Sequence, residues 1–339
     1  MSGAAGGAPA HVTQVFKLAG AGIMLRRRDS RALRRSAAHP PHRSIVAPFT
    51  RRGAMTIAIR EGRPDDAAAA GAICYAAFDA IAGAHNFPPD FPTPEAAIGL
   101  LNLLFSHPRI YSVVAEVDGA IVGSNFLWEQ CAIAGVGPIT VDPRVQNGQI
   151  GRTLMQAVLR RAAEKDWPGV RLVQAAYHNR SLSLYAKLGF DPREPLTNMQ
   201  GPPIGASIPG HAVRKATPDD IAACSALCRQ VHGHDRAGEL ADTVAQGTAT
   251  LVEQGGRIVG YATLLGYFGH AVASTNDGLK ALIAAAPGFE GPGILVPTCN
   301  AELLRWCLAN GLRAVQPMTL MSRGLYNEPR GAFLPSILF

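Results

Sequence analysis

Two glycines, a tyrosine and a glutamate are the residues of this sequence best suited to chemistry. Gly148 and Gly151 lie within "ITVDPRVQNGQIGRTLMQAVLRRAAEK", residues 139–165, which reads as a strand, a turn, a glycine-bearing loop and a long amphipathic helix. The first turn of a helix leaves amide hydrogens unpaired and carries partial positive charge, so an anion is stabilised there. Nearby glycines let phosphate oxygens approach those amides. The same arrangement also serves as an ordinary strand-to-helix connection, and both readings stand at this point. No Lys-Ser/Thr follows the loop and no GxGxxG is present, which excludes the nucleoside-triphosphate loop and the dinucleotide fingerprint.

Tyr185 belongs to "NRSLSLYAKLGF", residues 179–190, a short helix closed by Gly189. Such a tyrosine is either a core aromatic or a phenol that donates a proton. Glu129, near the end of the strand in "NFLWEQ", is either a solvated strand-end carboxylate or a general base. The proline-stiffened stretch "FDAIAGAHNFPPDFPTPEAA" offers His85, Asn86, Phe87 and Phe91 as pocket-lining residues.

The elements that must hold these residues repeat along the chain. "IAIREGRPDDAAAAGAICYAAF" (57–78) parallels "HAVRKATPDDIAACSALCRQVH" (211–232), with Asp65 or Asp219 expected to cap the helix that follows. "VVAEVDGAIVGSNFL" (113–127) parallels "TLVEQGGRIVGYATL" (250–264), each turning at Asp118-Gly119 or Gly255-Gly256 as a hairpin. Each half runs strand, helix, hairpin, then strand–helix–strand. That order predicts an α/β (α+β) fold, a mixed twisted sheet flanked by helices, built as two tandem domains. The boundaries fall at 1–54 for a tail, 55–200 for the first domain, 201–210 for a Pro- and Gly-rich linker, and 211–339 for the second domain.

Taken together, "VDPRVQNGQIGRTLM" and "NRSLSLYAKLGF" resemble the GNAT superfamily of acyl-CoA-dependent N-acetyltransferases, and with the preceding hairpin the likeness covers roughly 57–197. The resemblance implies an acyl-CoA N-acyltransferase-like sheet splayed in the middle, where the pantetheine arm pairs with a strand edge. Carried over by position, Ile139, Thr140 and Val141 would offer backbone groups to the pantetheine. Gln146, Asn147, Gly148, Gln149, Ile150, Gly151 and Arg152 would form the pyrophosphate loop. His178 or Asn179 would touch the cofactor arm. Tyr185 would stand at the thioester sulfur as general acid; for the base, Glu129 is the candidate because it lies near the end of the strand before the motif. One departure is visible: the family loop places a glycine where this chain has Gln149.

The resemblance implies an acetyl-CoA-dependent N-acetyltransferase acting on the primary amine of a small molecule, with acetyl-CoA as co-substrate and no metal. A second function class is a catalytically silent acyl-CoA sensor, motivated by the altered loop and by a second half without a comparable glycine loop. There, Cys307 falls where Tyr185 would, so the second domain is expected to be degenerate and to shape the acceptor site or form a homodimer contact.

Charge narrows the partners further. The net +7 is concentrated in residues 1–54, which carry ten basic side chains against Asp29 alone, leaving 22 basic and 24 acidic residues elsewhere. Nucleic acid binding is therefore disfavoured for the folded part, and the tail reads as disordered or as sequence upstream of the true start at Met55. The six cysteines form no CxxC pair, which fits a reducing cytoplasm. No apolar run is expected to reach the roughly 20 residues that span a bilayer.

Overall fold

The computed structural model describes residues 56–146 and 149–338; the basic tail lies outside them, as do Asn147, Gly148 and Phe339. The first half runs β1 (Ala58–Glu61), α1 (Ala67–Ala84), α2 (Pro94–Ser106), β2 (Ile110–Val117), β3 (Ala120–Trp128), β4 (Ala134–Val136), β5 (Thr140–Val141), α3 (Ile150–Glu164), β6 (Gly169–Ala175), α4 (Asn179–Lys187) and β7 (Asp191–Gln200). The second repeats the order with β8 (His211–Lys215), α5 (Ile221–His232), α6 (Ala237–Ala245), β9 (Thr250–Gln254), β10 (Arg257–Ala262), β11 (Ala271–Ala273), α7 (Asn276–Ala285), β12 (Ile294–Pro297), α8 (Ala301–Ala309) and β13 (Arg313–Gly324). A short β14 (Ala332–Leu334) follows.

Local chemistry explains the repeat. Arg60 donates from its guanidinium to Asp66 at 2.7 and 2.8 Å and to Glu116 at 2.9 Å, tying the end of β1 to the start of α1 and to β2. Arg214 does the same in the second half, with Asp220 at 2.8 Å and Glu253 at 2.8 Å. The helix-start carboxylates are thus Asp66 and Asp220, one residue later than expected. Each also accepts a backbone amide, from Arg63 and from Thr217, which only the third residue of the turn can reach. The hairpins turn where expected, with Asp118-Gly119 and Gly255-Gly256 all at positive φ.

The sheets do not respect the boundary between the halves. One sheet has the order β1-β2-β3-β4-β6-β13-β7-β12, with β5 attached to β3, and the other the order β14-β11-β10-β9-β8. Strand β13 of the second half enters the first sheet between β6 and β7, pairing Leu320 with Val173 on one side and Leu196 with Met318 on the other. In return β7 pairs with β12, Leu196 opposite Pro297. Each half therefore lends its last strand to the other, and β7 and β13 lie antiparallel at the centre.

Apolar faces bury on both sides of this sheet. Helices α3 and α4 cover one side of the first half through Leu154, Met155, Val158 and Tyr185. Helices α1 and α2 cover the other through Ala70, Cys74, Leu101 and Leu104. The stretch Pro64–Ala84 is, against expectation, long and apolar enough to cross a bilayer. Its apolarity is largely alanine, and its Ala67, Ala70 and Cys74 face packs into the core.

Candidate active site

The first sheet opens beside its shortest strands. β4 pairs with β6 only through Ala134↔Val170 and Gly135↔Arg171. The chain then breaks at Gly137-Pro138, and β5 pairs with β3 alone, Gly123 opposite Val141 and Ser124 opposite Thr140. The backbone of 139–141 is thus left unpaired with the outer half of β6. Ile139, Thr140 and Val141 form one lip of this gap and Val173 to Ala175 the other. Gln174 on that second lip is buried, and neither end of its side-chain amide has a hydrogen-bond partner among the described residues. A buried amide left this way costs free energy unless a ligand satisfies it. A pantetheine arm, with its own amides, fits that requirement.

Helix α3 begins at the end of the gap. Its first intrahelical bond runs from Thr153 N to Gln149 O at 3.0 Å, which leaves the amides of Ile150, Gly151 and Arg152 without helical acceptors. Ile150 is buried in the core while Gln149 and Arg152 are exposed, so the turn presents backbone and a cation outward. Gln149 adopts φ +66, ψ 0, the left-handed conformation that a glycine takes without cost. That is the physical reason a glycine is expected there. Gln146 donates from its side chain to Val141 O at 3.2 Å and accepts from the Arg180 guanidinium, so the loop is pinned to β5 and α4 together. Asn147 and Gly148 lie outside the described residues. Arg180, which the sequence reasoning passed over, therefore stands beside the loop; an arginine on the first turn of the following helix was its only signal.

At α4 the register is fixed by capping. His178 Nδ1 accepts from Ser181 N at 3.3 Å, as Asn300 accepts from Leu303 N at 3.2 Å in the second half. His178 is thus the cap, and Asn179 is the first helical residue, exposed to solvent. Tyr185 is buried, packs edge-on against Phe190 with ring centroids 6.2 Å apart, and is hydrogen-bonded to Ser181. Burial pushes its phenol up to about 12, so it carries its proton at neutral pH.

Glu129 is not brought to this place. Its carboxylate accepts from Arg161 Nε at 2.8 Å and Nη2 at 3.2 Å, near the C-terminal end of α3. An arginine eleven positions into α3 lies far from the anion-binding turn. Glu129 thus ties the end of the strand to the helix.

The structure offers Asp90, in the α1–α2 loop. This half-buried carboxyl is hydrogen-bonded by the Gln316 side chain of β13 and faces Cys74 of α1, Tyr177 just beyond β6 and Tyr267 of the second half. Tyr177 follows the end of β6, and Gln316 precedes the Met318 that pairs with Ala175, so Asp90 stands just beyond the end of the second lip. Burial pushes it up to about 6. Around it Phe87 stacks on Tyr177 at 4.2 Å and His85 lies 5.3 Å from the same ring. Asn86 is at φ +59, while Phe91 turns away to pack on Phe78 in the core. Asp90 was hidden in the sequence because its partners Tyr177, Tyr267 and Gln316 lie far along the chain.

The second half lacks the corresponding features. Only Ser274 and Thr275 separate β11 from α7, whereas 142–149 separate β5 from α3. The space between β11 and β12 holds β14, paired antiparallel with β11 through Ala271↔Leu334 and packed against β12. Cys307 occupies the position of Tyr185, buried, with its thiol pushed up to about 12.

A sheet splayed beside a helix N-terminus that can take phosphate defines an acyl-CoA N-acyltransferase fold. Residues 108–192 match the model of the acetyltransferase (GNAT) domain. Among solved structures, a candidate acetyltransferase of Pyrococcus horikoshii is 19% identical, with TM-score 0.63, 81% of this chain and 94% of that chain being covered. A GCN5-related N-acetyltransferase of Sphaerobacter thermophilus is 16% identical, with TM-score 0.54 and coverage of 80% and 96%. Both likenesses span both halves, so the fold of the whole described chain is shared. No curated protein sequence matches the chain.

Proposed function

We propose that this protein is an N-acetyltransferase that moves the acetyl group of acetyl-CoA to the primary amine of a small molecule. The observation that carries the reading is the gap between β5 and β6, with an orphaned Gln174 amide on one lip and the start of α3 at its end. The pantetheine would lie along Ile139 to Val141, and the pyrophosphate would meet the amides of Ile150 to Arg152. Arg152 and Arg180 would supply the balancing charge.

The amine nitrogen attacks the thioester carbonyl carbon, a C–N bond forms and the C–S bond breaks. Asp90 takes the proton that the ammonium must lose, and the Tyr185 phenol gives one to the departing thiolate. Incubating the full chain with acetyl-CoA and a panel of amines, while following free thiol, tests the activity. Tyr185→Phe should lower kcat about 100-fold with acetyl-CoA affinity nearly unchanged. Wild-type turnover in that variant would remove Tyr185 from the acid role.

A further inference from the structure

A cavity of about 160 Å³ lies where the two halves meet. Leu103, Trp128 and Ile133 wall it from the first half; Phe268, Thr243 and Leu338 wall it from the second. The halves are locked around it by an ion pair between Arg109 and Asp242. Close backbone packing adds to the lock: a Cβ on Gly238 would come within 2.3 Å of Gln130 O.

The charges on its walls are unequal. Arg236 donates to Glu239 at 2.8 Å, and Asp242 is matched by Arg109, so these cancel in pairs. Burial alone would raise the Glu239 carboxyl, but Arg236, His270 and Thr263 together hold it below the usual range. Glu290 is left over, with no ion-pair partner among the described residues. His107, which burial drives towards the neutral form, adds no compensating charge. An apolar chamber with one surplus carboxylate suits a hydrophobic body carrying a single positive charge. An engineered cavity of about 150 Å³ accepts benzene, so this one has room for a body of roughly six or seven heavy atoms.

Two contacts join the chamber to the gap. Trp128 Nε1 donates to Gly137 O at 2.7 Å, at the break between β4 and β5. Tyr267, which faces Asp90, is followed directly by Phe268 and Gly269 of the cavity wall.

We propose that this cavity seats the acceptor as a compact, hydrophobic primary amine, its apolar body between the halves and its nitrogen toward the Gly137 break. The second half then builds one side of the acceptor site. This rests on the acetyltransferase reading, but binding can be measured without transfer. Benzylamine and its uncharged counterpart benzyl alcohol are titrated into the full chain by calorimetry, without acetyl-CoA. Benzylamine should bind about tenfold or more tightly than benzyl alcohol. Leu103→Trp, which fills the chamber, should abolish binding, and Glu290→Gln should weaken the amine about tenfold while leaving the alcohol unchanged. Thermal melts establish that both variants fold, and Glu290→Gln alone decides if Leu103→Trp does not. Equal affinity for amine and alcohol, or an unchanged amine affinity in a folded variant, overturns the proposal. Amine binding lost in the variants, with no acetyl transfer to any amine, would uphold the cavity and sink the enzyme reading. Acetyl transfer with benzylamine KM unaltered by Glu290→Gln would do the reverse.

Discussion

Asp90 and Glu129 were interchangeable as carboxylates in the sequence, and their surroundings separate them. Asp90 is pushed up to about 6, above the usual aspartate value of about 3.9, so the native state holds its proton more tightly than the unfolded chain. Its ionisation therefore costs stability as pH rises from about 4 to about 6, and the whole cost remains at pH 7. Asp90→Asn should raise Tm at pH 7 yet leave it unchanged at pH 4, and should lower kcat by about 100-fold or more. The wild-type rate should climb through about pH 6 and the variant's should not. Glu129→Gln should instead leave kcat intact and cost about 1 kcal/mol, because it only weakens the Arg161 pair. A wild-type pH profile in Asp90→Asn would dismiss Asp90 as base. At Gln149, substitution by glycine should relieve the left-handed backbone and stabilise the chain by up to about 1 kcal/mol in denaturant melts. An unchanged or lower midpoint would mean that the flexibility glycine adds to the unfolded chain offsets the relief.

At the scale of elements, the motifs that touch phosphate were legible because helix starts, glycines and caps are local. The strand–loop–helix from 139 to 165 and the helix at 179 stand where their spacing placed them. The capping carboxylates slipped by one residue, since Asp65 and Asp66 differ only in which turn amide each can reach. What was not legible was the non-local pairing. The gap beside β5 exists because two short strands share β3 as neighbour, and no residue type marks that. Nor does "GAFLPSILF" announce that β14 will fill the matching space in the second half. With that space filled and the loop after β11 only two residues long, the chain should bind one acyl-CoA, not two. Calorimetry with acetyl-CoA on the intact protein measures this; a stoichiometry near two would contradict it.

At the scale of the molecule, the tandem order of elements was readable from the repeat, but the exchange of β7 and β13 was not. Both strands satisfy the same pattern whichever sheet they join, and pairing between strands distant in sequence leaves no periodic trace. The sharing also places Gln316 of the second half on Asp90 and the loop through Tyr267 against the gap. Neither half has a complete sheet alone, since removing β13 would bare edges on both β6 and β7. Thermal unfolding should accordingly show one cooperative transition, and two separated ones would argue for independent halves.

The crossed final strands also mean that the covalent thread between the halves is not what keeps them together. The segment 201–210 is largely exposed and free of helix and strand, a natural place for a protease to cut. A nick there would leave two polypeptides clasped like exchanged arms of a dimer, each still completing its neighbour's sheet. Such a clipped sample should elute from a sizing column as the intact protein does and come apart only in denaturant. The two pieces, made separately and refolded together, should find each other without the tether. In that sense the molecule is a dimer written as one chain.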